Sequence, residues 1–156
     1  MSEFTILRDT REHEGHGYWF EDYPVKVKEQ KLRTGDYAVE QPGYYGKHGT
    51  YVPPFAVERK AKGDFLNSIT HERDRFEREL ERADDWNAPM PIVVEAPWLD
   101  FTQGNYYRKV NPNSIIGTVE KWPGYYNCDF FFSTGAEDAE RKTYDFLKWW
   151  YTRGSR

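Results

Sequence analysis

Apolar residues first occur in short runs and later at helical spacing, and the two patterns then alternate to the end of the chain. Residues 4–7 are apolar or β-prone and predict a strand that ends just before Asp9. Residues 13–23 carry Gly, His and aromatic side chains without a period and predict a loop. A weak alternation over 25–32 predicts a second strand. Thr34-Gly35-Asp36 is a turn signal, followed by a strand over 37–40. Residues 41–50 predict a loop and 51–60 another strand, so 37–60 form a hairpin with a long tip. Gly63 breaks the strand and Asp64 is placed to cap a helix. Phe65, Leu66, Ile69, Phe76, Leu80 and Ala83 then fall on one helical face, opposite a face dense in Arg and Glu.

Pro89 and Pro91 end that segment, and the continuous run Ile92-Val93-Val94 predicts a central strand buried on both sides. Residues 101–110 are irregular and aromatic. Asn113 or Ser114 caps a helix carrying Ile115, Ile116, Val119 and Trp122, which Pro123-Gly124 stops. Residues 129–132 form a further strand, with Phe130, Phe131 and Phe132 assigned to the core. Thr134 and Glu137 have capping-box spacing, opening a last helix to about residue 151 that buries Phe146, Leu147, Trp149 and Trp150. Strands first, then alternating helix and strand, predict an α/β fold: a mixed sheet with helices on its faces. Residues 1–152 are expected to be one domain, with a short tail at 153–156.

Composition narrows the class. Aromatics are 18% of 156 residues, against the pattern of a disordered chain. A single cysteine, Cys128, excludes an internal disulfide and thiolate-cluster zinc; it reads as a buried apolar residue. No apolar run is long enough to span a bilayer, and the first residues lack the features of a signal peptide, so an intracellular, soluble protein without membrane contact is expected. The net charge of −4 argues against a protein that coats DNA, while leaving room for a local carboxylate cluster.

Such a cluster is present. Glu58 and Lys60 are two apart on a predicted strand and project to one face, with Arg59 on the other. Asp36 sits at the turn before the partner strand, so Asp36 and Glu58 can converge. Two carboxylates suit Mg²⁺ or Mn²⁺, which take hard oxygen ligands. Lys60 can orient or help deprotonate an attacking water and offset negative charge at a phosphate. Spacing alone also fits a hairpin edge with a surface salt bridge.

The ordered set Leu7-Arg-Asp-Thr-Arg-Glu12, Thr34-Gly-Asp-Tyr-Ala-Val39 and Val57-Glu-Arg-Lys60, with Asp64 four residues on, resembles the nuclease domain of XPF-type structure-specific endonucleases in the PD-(D/E)XK superfamily. The resemblance continues through Asn67-Ser68-Ile69 and Arg75 and covers most of the chain. It implies a restriction-endonuclease-like mixed central sheet flanked by helices. It implies Asp36 and Glu58 as metal ligands, with Asp9 as a further carboxylate near the metal, and Lys60 as the catalytic lysine. Glu12 joins the catalytic set, and Arg11, Arg59 and Asp64 support it. The family usually has a helix between its first two strands, where residues 13–23 read as loop.

Lys62, Arg73 and Arg75 are candidate contacts to DNA phosphates; the rival reading is a solvated helix face paired with Glu72, Glu77 and Glu79, and only Arg75 matches the family. His13 and His16 are weak evidence for zinc, and His48 and His71 read as surface residues. Tyr44-Tyr45 beside Lys47, and Tyr106-Tyr107 beside Arg108 and Lys109, can stack on unpaired bases or simply pack in loops. The expected activity is a Mg²⁺- or Mn²⁺-dependent DNA endonuclease selective for flap, branch or junction DNA in recombination or repair, with a homodimer or partner protein supplying specificity. The competing readings are a non-catalytic DNA-binding scaffold on the same fold and a sequence-recognising endonuclease of the same superfamily.

Overall fold

A computed structural model describes residues 3–12, 15–41 and 53–154. Six strands form one sheet: β1 (Phe4–Arg8), β2 (Val25–Glu29), β3 (Tyr37–Val39), β4 (Ala56–Lys60), β5 (Met90–Val94) and β6 (Cys128–Phe132). Their order is β2-β1-β3-β4-β5-β6. β3 pairs antiparallel with β1 and β4, and the other neighbours run parallel. The hairpin expected over 37–60 is the β3–β4 pair, with Tyr37 opposite Val57 and Ala38 opposite Ala56. Its tip, with Tyr44, Tyr45, Lys47 and His48, lies outside the described residues, as does His13.

Alternation along the strands builds two cores. Phe4, Ile6, Tyr37, Val39, Val57 and Val93 face one side, where α5 (Ala136–Trp149) covers them through Ala139, Tyr144 and Leu147. Met90, Ile92, Val94 and Cys128 face the other, under α1 (Lys62–Ile69), α2 (Arg73–Glu81), α3 (Trp98–Thr102) and α4 (Pro112–Tyr125). β5 is buried throughout, as its unbroken apolar run predicts. The architecture is the restriction-endonuclease-like mixed sheet flanked by helices.

Several boundaries differ from expectation for local reasons. The helical face over 64–83 belongs to two helices. The Thr70 hydroxyl donates to the Leu66 carbonyl and the Glu72 N–H to the Asn67 carbonyl, closing α1 before α2 begins. The seven-residue step from Ile69 to Phe76 spans that break without requiring one helix. α1 starts two residues before Asp64, with Ala61 as N-cap; Asp64 sits in the first turn, where its charge favours the helix dipole. Asn111, not Asn113 or Ser114, caps α4 by accepting from the Asn113 N–H, with Pro112 in the first turn. Pro123 lies inside the last turn of α4, where it removes one N–H from the helix ladder, yet the helix runs on to Tyr125.

The capping box does not form. Asp138 accepts from the Thr134 N–H instead, and Gly135 is the N-cap of α5. Trp150 is buried, whereas Trp149 is 46% exposed and Phe130, Phe131 and Phe132 are half-buried on the edge strand. A short α3 occupies the start of the stretch expected to be irregular. Trp150–Gly154 form a π-helical turn after α5. Among the described residues no helix is long and apolar enough to cross a membrane.

Candidate active site

The turn before β3 puts Asp36 where the spacing suggested. Gly35 adopts φ +83°, and a Cβ there would collide with the Ala56 side chain, so the turn needs glycine. The Asp36 N–H donates to the Val57 carbonyl at 2.9 Å, and the Asp36 carbonyl accepts from the Asp9 N–H at 2.9 Å. These bonds seat Asp36 between the ends of β1 and β4. Its carboxylate Oδ2 accepts from the Arg59 backbone N–H at 2.7 Å. Glu58 and Lys60 project from β4 to the α1–α2 face, with Lys60 Nζ 3.3 Å from Glu58 Oε2 and 4.5 Å over the Phe76 ring of α2.

The electrostatics of this cluster are unbalanced. Burial raises the Asp36 carboxyl to about 7, the charge of Glu12 adds to the rise, and the Arg59 N–H opposes it. Glu58 is buried, and that burial, followed by the charges of Asp36 and Glu79, holds its carboxyl well above the ordinary range. Glu58 Oε1 meets no hydrogen-bond donor. The pair therefore holds a proton between its members more readily than two negative charges. Burial works to lower Lys60, but the carboxylates of Glu58, Glu79 and Asp36 outweigh it and keep the ammonium charged.

The reverse face of β4 is balanced. Arg59 donates to Glu95 Oε1 at 3.0 Å and lies 3.5 Å from Glu12 Oε2. Tyr37 donates to Glu12 at 2.7 Å, and Tyr18 donates to Glu95 at 2.5 Å. Arg8 Nη2 donates to the His16 carbonyl at 2.7 Å, and its guanidinium lies 4.4 Å over the Trp19 ring. The loop over 15–23 closes on this network at Gly17, with φ +77°, where a Cβ would strike Glu12, Tyr37 and Arg8.

Arg11, Glu12, Asp36, Glu58, Arg59, Lys60, Asp64 and Arg75 all line one polar cleft of about 580 Å³, which adjoins a narrower compartment of about 190 Å³. Arg75 is largely exposed, 3.9 Å from Glu72. Asp9 does not line the cleft: its Oδ1 accepts from the Leu32 N–H at 2.8 Å and its Oδ2 from Arg11 Nε at 2.5 Å. Lys62 turns instead to Asp100 and the Asn105 carbonyl, and Arg73 turns to Thr118, Glu77 and the Trp122 ring of α4. Among the described residues no three His, Cys, Asp or Glu side chains gather closely enough to hold a metal ion jointly. The site thus offers a carboxylate pair, Asp36 and Glu58, without Asp9.

Two groups escaped the sequence reading. Glu79 lines the narrower compartment instead of a solvated helix face, and Glu95, just past β5, anchors Arg59. The signal for Glu79 was its position one turn beyond Phe76, on a stripe with Glu72 and Arg75. An apolar hollow of about 400 Å³ on the α5 face, lined by Phe55, Pro91, Phe131, Phe146 and Trp149, contains none of these groups. The chemistry belongs to the polar cleft, where buried carboxylates and a cation converge.

Residues 8–146 match the ERCC4 domain. The chain belongs to the ERCC4-domain family. This is a family of structure-specific DNA nucleases, and its XPF-type nuclease domain is the one that the sequence resembles. The matched range runs from the end of β1 into α5 and so contains the whole cleft. The ERCC4 domain here shares its fold with XPF from Aeropyrum pernix: TM-score 0.68 and 17% identity, covering 97% of this chain and 64% of that one. XPF from Aeropyrum pernix in complex with DNA gives TM-score 0.63 and 17% identity, covering 96% of this chain and 66% of that one. No curated protein matches the chain.

Proposed function

We propose that residues 1–152 form a single nuclease domain that hydrolyses DNA phosphodiester bonds in the presence of Mg²⁺ or Mn²⁺, selecting flap, branch or junction structures in repair or recombination. The observation that carries this reading is the Asp36–Glu58 pair: one half-buried and one buried carboxyl, one oxygen without a donor, and one ammonium beside them. That donor set fits a hard divalent cation, which would replace the shared proton at neutral pH. Such an ion supplies a water of lowered pKa and offsets charge on the phosphate.

The side chains divide the remaining work. The Arg59 N–H fixes the Asp36 carboxylate, leaving its other oxygen for the cation. Lys60 stays an ammonium and serves as a donor toward the scissile phosphate, not as a base. Arg75 and Asp64, on the cleft wall, meet the strand that carries that phosphate. Glu12 and Arg59 hold the floor, and Asp9 holds Arg11 and the segment around Leu32. DNA is the expected partner, in line with the DNA complex of the XPF protein that shares the fold. A second copy or a partner protein would supply structure selectivity.

The test is cleavage of matched linear, flap and four-way-junction DNA with Mn²⁺, Mg²⁺ or EDTA, comparing the wild type with Glu58→Gln. Metal-dependent cutting of branched DNA, lost by about 10³-fold in the variant, supports the assignment. DNA binding without cutting under all conditions would favour a scaffold, and fixed cut sites on linear DNA a sequence reader.

A further inference from the structure

Resting on the metal-dependent reading above, we propose that Glu79 is a third acidic residue of the cation site, acting on the ion across water and not as a direct ligand. α2 is seated on the site by Phe76, whose ring lies 4.5 Å beneath Lys60 Nζ. Glu79 follows Phe76 by three residues on the same stripe, and it lines the narrower compartment with Asp36, Glu58 and Lys60.

Its surroundings distinguish Glu79 from ordinary surface acids. Glu72 and Glu77 on the same helix segment lie within 4 Å of Arg75 and Arg73. Glu79 has no ion pair within 4 Å and no side-chain hydrogen bond among the described residues. Its charge acts instead on Asp36, Glu58, Lys60 and Arg11. Other charges around the compartment are matched: Arg11 by Asp9, Glu12 by Arg59, and Glu72 by Arg75. Asp36, Glu58 and Glu79 share Lys60 as their ammonium, while Arg11, which also feels Asp36 and Glu79, is held by Asp9, so acidic groups outnumber cations around the compartment and a divalent ion would redress that balance.

Three carboxyls around one compartment, Glu58 buried and Asp36 and Glu79 half-buried, are relieved either by a proton or by a cation between them. An independent mark of that cation is Glu58 Oε1, buried and without a donor in the same compartment. Among the described residues no three carboxylates stand close enough to hold an ion jointly, which sets Glu79 apart from the Asp36–Glu58 pair. A hydrated divalent ion on Asp36 and Glu58 can meet Glu79 through water, since Mg²⁺ keeps several of its waters when protein-bound.

Calorimetric titration of Mn²⁺ into the whole chain without DNA tests this, using wild type, Glu79→Gln, Glu58→Gln and, as a control, the exposed Glu81→Gln. Thermal unfolding of each variant confirms that it is folded. The expected result is one strong site in the wild type, weakened about tenfold by Glu79→Gln, within twofold of wild type in Glu81→Gln, and lost in Glu58→Gln. Unchanged affinity in Glu79→Gln overturns the proposal and leaves the metal-dependent reading intact. Complete loss in Glu79→Gln also overturns it, by making the residue a direct ligand. No binding to the wild type overturns both readings.

Discussion

Two faces of one short strand behave oppositely. On the α5 side of β4, Arg59 sits between Glu12 and Glu95, and Tyr37 and Tyr18 donate to the same two carboxylates. On the α1–α2 side, buried Glu58 and half-buried Asp36 have Lys60 as their cation, with Glu79 adding a further negative charge. Neighbouring residues thus enter environments of opposite character because strand side chains alternate. A fully paired buried network holds a backbone in place. An underpaired cluster costs stability, and such strain persists where a ligand relieves it. The paired face holds β4 rigid, and the unpaired face presents an unfilled demand for positive charge.

The largest effect is expected from breaking the paired face. Arg59→Met removes the cation shared by Glu12 and Glu95, leaving them with tyrosine hydroxyls and Arg8 in a largely buried site, and should lower stability by about 3 kcal/mol in denaturant titration. A loss below about 1 kcal/mol would mean that the network contributes little. Gly17→Ala should cost about 2 kcal/mol, because a left-handed backbone and a clash with Glu12, Tyr37 and Arg8 coincide. Its metal affinity should stay near wild type, which separates the two faces.

The unpaired face predicts a pH trend. The Asp36 carboxyl titrates near 7 when folded and near 3.8 when unfolded, so the folded state holds the extra proton between those values. A raised carboxyl makes the metal-free protein lose stability as pH rises from about 4 through about 7. Thermal unfolding in EDTA across that range checks this, and Asp36→Asn should flatten the slope. The smallest effect belongs to the rim: Arg75→Ala should reduce cleavage about threefold to tenfold and leave the melting temperature unchanged.

Much of this contrast was legible in the chain. The i, i+2 rule placed Glu58 and Lys60 together and Arg59 opposite, and the Gly35 turn placed Asp36 beside them. What escaped needed tertiary information. Asp9 shares its motif with Glu12, yet local bonds to Arg11 and Leu32 turn it out of the cleft. The break at Thr70 depends on one hydroxyl and one carbonyl, which periodicity does not register. Lys62 and Arg73 belong to the basic stretch that includes Arg75, but α3 and α4 draw them away, and those elements are distant in sequence. Glu79 looked like one more acid on a charged helix until α2 was set against β4.

The most direct test of the central claim is the thermal unfolding of metal-free wild type and Glu58→Gln at pH 8, each repeated with Mn²⁺. If the α1–α2 face carries uncompensated charge reserved for a cation, Glu58→Gln melts higher than wild type without metal. Mn²⁺ then raises the wild type and leaves the variant unmoved. A metal-free variant that melts lower, with a wild type indifferent to Mn²⁺, would contradict the account.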